Sequence, residues 1–189
     1  MTSLEKLTVL LADLKEAQMD GLNYQESLVL MRDYGERFEQ LYQVWLADCE
    51  RGIAVPYDQI RTMVEGAVAE LSQNCAYRFR LKMPNPYGTT YSFRNKLNFL
   101  KFELDKRAAP ANLPACHCQL RLANRIQPNF TFLRDYGRAV LYHEDDDFIV
   151  KECRLCNTRW IDATVPGALS MSNTWTSWNP EEYLLREVF

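Results

Sequence analysis

In Glu152-Cys153-Arg154-Leu155-Cys156-Asn157, a two-residue spacer lets the chain knuckle so that both thiols turn towards one point. Asn157 follows where a residue tolerant of left-handed backbone would help the turn. A second close pair lies upstream in Pro114-Ala115-Cys116-His117-Cys118. Two such pairs are the economical way to build a four-cysteine zinc site, because zinc takes four soft ligands in a tetrahedron. Cys116, Cys118, Cys153 and Cys156 are therefore the candidate ligands of a structural Zn2+. Reduced, partly buried thiol pairs and a disulfide are the competing readings. His117, between two candidate ligands, is an alternative donor, although adjacent ligands strain a single tetrahedral site.

Working outward, 189 residues of which 47% are hydrophobic suffice for one sizeable domain or a helical body with a smaller module. No run approaches the roughly 18 apolar residues of a membrane span, and Glu5, Lys6, Asp13 and Lys15 stand where a signal peptide would be apolar. A cytoplasmic protein without a membrane partner is expected. Six cysteines in that setting point to metal or buried thiols rather than a disulfide framework.

Thr2 with Glu5 forms a capping signal, and Leu4, Leu7, Leu11 and Leu14 recur at helical spacing up to Gly21. Asn23 with Glu26 repeats the signal before the longest expected helix, whose apolar stripe is Tyr24, Leu28, Met31, Phe38, Leu41, Trp45 and Cys49. Gly52 and Pro56 break the chain. A third helix then runs from Tyr57 to about Tyr77 with Ile60, Val64, Ala67, Leu71 and Cys75 inward. Pro84-Asn85-Pro86-Tyr87-Gly88 reads as a rigid turn, and Thr90 or Ser92 would cap a fourth helix carrying Phe93, Leu97, Leu100 and Leu104.

After Pro110 and Pro114 the texture changes to strand-like runs at 130–133, 138–142, 148–152 and 159–162. Glu144-Asp145-Asp146-Asp147 would be the tip of a hairpin leading into the Cys153 knuckle. Asn179-Pro180-Glu181-Glu182 has the cap, proline and early acids of a short terminal helix through Leu184 and Leu185. The expected fold is α+β: an antiparallel helical bundle over 1–109 and a small β-rich, zinc-ribbon-like module over 110–189.

Little in the chain points to catalysis. The nucleobase-deaminase pattern fails because Asp145 stands where Glu is needed after His143, and Glu152 stands where proline should precede Cys153. Gly-rich phosphate loops, HExxH pairs and GxSxG elbows are missing, and four thiolates would leave zinc closed to substrate. Binding is the default role, with a metallohydrolase the least favoured alternative. Trp160, Trp175, Trp178 and Tyr183, in the same C-terminal quarter as the knuckle, suit a protein interface, or else fill the core of a small module.

The close pair Cys116/Cys118, the acidic hairpin and the run Val150 to Trp160 together resemble small bacterial immunity proteins of polymorphic toxin systems. The resemblance covers about 45 residues, from Cys116 to Trp160, and its motif is short enough that unrelated zinc ribbons share it. It implies a non-catalytic protein that binds and blocks one cognate toxin, with the same four cysteines as metal ligands. Residues 1–52 hold 5 Lys+Arg against 10 Asp+Glu, a balance of -5. Their carboxylates, including Asp13, Glu16, Asp20, Asp33, Glu36 and Glu39, would suit a basic nuclease toxin. Residues 78–107 hold 8 against 2, a balance of +6, so a nucleic-acid-binding or transcription-associated zinc ribbon is the runner-up.

Overall fold

The computed structural model describes residues 1–16, 24–80, 87–141, 147–162, 175–181 and 183–188. Helices fill the N-terminal part and strands most of the C-terminal part, an α+β arrangement. The chain divides into two compact units, Met1–Leu104 and Asp105–Phe189.

The first unit contains α1 (Ser3–Glu16), α2 (Tyr24–Glu50), α3 (Tyr57–Arg80) and most of α4 (Tyr87–Ala108). At the start of α1 the capping box closes in both directions: Glu5 N–H donates to Thr2 Oγ1 at 3.2 Å, and Thr2 N–H donates to Glu5 Oε2 at 2.7 Å. Helix α2 ends at Gly52, whose φ of 73° only glycine adopts without strain. Gly52 N–H then reaches Cys49 O and Ile53 N–H reaches Asp48 O, the paired bonds of a Schellman motif.

One apolar core joins the four helices. It contains Leu7, Leu10, Leu11 and Leu14 of α1, Met31, Tyr34, Phe38, Leu41 and Trp45 of α2, Ile60 and Val64 of α3, and Phe93, Leu97 and Leu100 of α4. At its centre Phe38 stacks on Phe93 with centroids 4.0 Å apart and meets the edge of Trp45 at 6.0 Å. The α2 stripe departs from expectation at its start. Leu28 is exposed, and Tyr34, fixed by a hydrogen bond from its hydroxyl to Asp13 O, takes a place in the core. Cys49 is buried, as a thiol packing like a small hydrophobe should be.

One boundary is corrected here. Tyr87 and Gly88 belong to α4, which begins ahead of the caps expected at Thr90 or Ser92. The signals at Gly21, Asn23 and residues 84–86 lie outside the described residues, as do the side chains of Leu71 and Cys75.

The second unit is built on a five-stranded antiparallel sheet in the order β4-β3-β2-β1-β5, from β1 (Leu133–Leu141), β2 (Asp147–Cys153), β3 (Arg159–Asp162), β4 (Trp175–Ser177) and β5 (Tyr183–Val188). Phe148 and Val150 alternate with Ile149 and Lys151 along β2, so the sheet has two distinct faces. One face carries the cluster Ala139, Phe148, Val150 and Ile161; the other carries Leu133, Cys153 and Trp160.

Two expectations fail in this unit and one element was not foreseen, each because a local signal is overridden or too short to read. Phe130–Phe132 is a 3-10 turn rather than a strand, since Asn129 caps it by accepting from Thr131 N–H at 3.2 Å. Cys118–Ala123 forms a short helix, α5, of only six residues, too few for a periodicity. The terminal helix is absent. Asn179 does accept from Glu181 N–H at 3.0 Å, but from Tyr183 the chain pairs with β1 as an edge strand, Leu185 opposite Ala139. The acidic tip at 144–146 and His143 lie outside the described residues, and Asp147 opens β2.

Glu152, on the same face as Phe148 and Val150, is nearly fully buried. Register supplies its partners: Arg134 lies opposite on β1 and Arg159 opposite on β3, and both guanidiniums bond the carboxylate. Arg159 also lies 4.0 Å from the Tyr136 ring centre and 5.0 Å from that of Trp178. The Arg134 hydrogen bond above all, with help from Arg159 and against the pull of burial, holds Glu152 below its ordinary value of 4.5.

A carboxylate depressed in the folded state stabilises the fold above its unfolded pKa, and that contribution fades as pH falls through the folded value. Denaturation midpoints should therefore drop on acidification below about pH 4.5, and Glu152→Gln should remove part of that slope, read by urea titration of the sheet's circular dichroism. In the helical unit, Phe38→Ala should cost about 3 to 5 kcal/mol by equilibrium unfolding, since it empties the centre of the core.

Candidate metal centre

The four cysteines expected as ligands converge. Sγ atoms of Cys116, Cys118, Cys153 and Cys156 all lie within 4.8 Å of one another, so the cluster could hold a metal ion. Four sulfurs bound tetrahedrally at about 2.3 Å stand about 3.8 Å apart, which fits a single ion at the middle of this cluster. Cys116 Sγ and Cys156 Sγ are already at 3.5 Å. Cys116, Cys118 and Cys153 are buried and Cys156 is half-buried.

Local backbone chemistry aims each pair. Strand β2 delivers Cys153 at its last residue, across from Leu133, and Arg154 N–H donates to Phe132 O at 2.8 Å as the chain leaves the sheet. The turn closes through Asn157 N–H to Cys153 O and Cys153 N–H to Thr158 O, both 2.9 Å. Asn157 has φ 56°, the left-handed conformation its side chain tolerates. In the upstream pair His117 N–H donates to Pro114 O at 2.9 Å, and His117 itself takes φ 50°. That reversal brings Cys116 to the cluster and starts α5 at Cys118. His117 serves the turn, and the converging ligand atoms are the four sulfurs.

Arg121 braces this loop, its Nε donating to Cys116 O at 3.2 Å and a terminal nitrogen to Gln127 O at 3.0 Å. Asn124, also buried, donates to Leu120 O at 2.9 Å and to Asp105 Oδ2 at 2.8 Å. Leu122, Phe132 and Trp175 pack around the sulfurs together with the fully buried Trp160.

The electrostatics differ from thiol to thiol. Burial pushes Cys116 and Cys118 above the ordinary thiol value. Burial acts the same way on Cys156, but the Thr158 hydroxyl at 3.1 Å, the Thr158 backbone N–H and the neighbouring thiols outweigh it and bring Cys156 down to about 7. A thiolate forming near neutrality in a cluster of thiols is a starting point for capturing a cation.

Several of the expected partner-binding residues have contacts within their own unit. Asp13 pairs with Arg37 at 2.6 Å and Asp33 with the same guanidinium at 3.7 Å. Glu39 is engaged by Lys96 of the basic segment and by Gln43. Glu16 and Glu36 are exposed, and Asp20 lies outside the described residues. Trp175 is half-buried against the cysteine cluster with its ring edge-on to Phe130, while Trp178 packs on the opposite face of the sheet.

Sequence reasoning missed the Arg134–Glu152–Arg159 triad, and it left Trp160 open between interface and core, where the structure buries it fully among the sulfurs. The first had a readable signal: a glutamate two residues beyond Val150 and four beyond Phe148 shares their face and needs a partner there. In comparisons with known proteins, no family model matches the chain, and neither a curated protein nor a solved structure gives a match. No described helix is long and apolar enough to cross a membrane.

Asn157→Val should destabilise the knuckle by roughly 1 to 2 kcal/mol, because a β-branched side chain resists the left-handed backbone, whereas Asn157→Gly should be close to neutral. Thermal unfolding of the two variants beside the parent checks this.

Proposed function

We propose that this is a non-catalytic binding protein whose C-terminal unit is held by a structural zinc ion, and that it neutralises a cognate bacterial toxin as an immunity protein. The observation that carries the first part is the convergence of four cysteine sulfurs. Soft thiolates in a tetrahedral set favour zinc, and a set of four fills its coordination sphere, leaving no position for water or substrate. Zinc here would supply folding energy: it would join the knuckle after β2 to the turn before α5, two places far apart in sequence.

The immunity reading is supported by the resemblance of the stretch from Cys116 to Trp160 and by the acidic balance of residues 1–52. Glu16 and Glu36 remain exposed on the helical unit as carboxylates a basic toxin could meet.

Two measurements test the parts separately. Mass spectrometry of protein purified without a metal-affinity tag should find about one zinc per chain, and Cys153→Ser should lose the metal and the sheet's cooperative unfolding while Cys49→Ser keeps both. Expressing the product of the adjacent gene with and without this chain should show growth arrest relieved by it, with Glu16→Gln/Glu36→Gln weakening the complex and flattening its salt dependence. Zinc without rescue would leave the structural metal standing and sink the immunity role.

A further inference from the structure

We propose that Trp160 is a positioning residue of the metal centre, its indole N–H donating a hydrogen bond to a cysteine sulfur of the cluster when that sulfur is a metal-bound thiolate. The inference rests on the metal reading above and adds an outer contact to it.

Trp160 is 0% exposed, and its Nε1 is buried with no acceptor in good hydrogen-bonding geometry. An indole nitrogen can only donate, so a buried one without an acceptor is a standing cost unless a partner is gained. Trp160 shares its cluster with Cys116, Cys118, Cys153 and Leu133, and Leu122, Phe132, Cys156 and Trp175 pack against it. Register fixes the ring there, because Trp160 is paired with Lys151 and so shares the face that carries Cys153.

The other buried, unpartnered indoles are placed differently. Trp45 sits in the helical core and Trp178 packs on the opposite face of the sheet, and neither belongs to the sulfur cluster.

The chemistry gives the donor a purpose. Four thiolates around a divalent cation carry two net negative charges, here among apolar side chains, and donors aimed at the sulfurs spread that charge. Cys156 has its donor in Thr158 at 3.1 Å. Trp160 is the corresponding donor for one of the more deeply buried sulfurs of Cys116, Cys118 and Cys153.

The test uses the full chain loaded with cadmium-113. A scalar coupling between the metal and the Trp160 indole proton, passing through N–H···S, is expected in the parent protein. Trp160→Phe, which keeps the ring and removes the donor, should lose that signal and weaken cadmium binding about tenfold or more in chelator competition, with four thiols still protected. One cadmium held by four thiols, without coupling at Trp160 and with equal affinity in Trp160→Phe, would overturn the proposal and leave the metal reading intact. No bound cadmium would overturn both. Should Trp160→Phe fail to fold, the coupling in the parent decides alone.

Discussion

Four sulfur atoms held within 4.8 Å of one another are the constraint around which the C-terminal unit is arranged. Two lie where a turn leads into α5 and two on the knuckle that closes β2, so their meeting ties together chain segments far apart in sequence. Left-handed residues at both turns, His117 and Asn157, make the approach feasible. Bringing thiols together in an apolar cluster is unfavourable for their charged forms, as the raised Cys116 and Cys118 show. A cation bound among them would reverse that balance, and metal binding and folding would then be one equilibrium.

On the sheet's other face the same problem is solved without metal. Glu152 is a buried carboxylate, and the two strands flanking β2 supply an arginine each at the directly opposed position. Such a pair is costly to desolvate and more costly to break, so its value lies as much in register as in stability. A slip of one residue would turn Glu152 to the cysteine face and Cys153 away from its partners. The Arg134–Glu152–Arg159 triad and the thiol cluster thus fix the same strand from opposite faces.

The helical unit rests on ordinary apolar burial. Its four helices contribute to one cluster centred on Phe38, Phe93 and Trp45, and its ion pairs are mostly exposed or half-exposed contacts of modest worth. Engagement of Glu39 by Lys96 gives part of the uneven charge an internal use.

The helices were legible because each repeats a signal over several turns: the Thr2/Glu5 box, the Gly52 stop and the inward Ile60, Val64, Phe93, Leu97 and Leu100 all stand in place. The cysteine pairs were legible because short spacers restrict where two thiols can point, and β3 because its run is bounded on both sides. Strand β5 was not legible. Its helix-start residues favour a turn, and only an available edge on β1, distant in sequence, draws Tyr183 onward into a strand. Likewise the partners of Glu152 and the placing of Trp160 beside the sulfurs depend on which residues face each other across strands. Local propensity and spacing act within a few residues and are written in the sequence; register and edge pairing are set by contacts between distant segments, and those the tertiary structure alone decided.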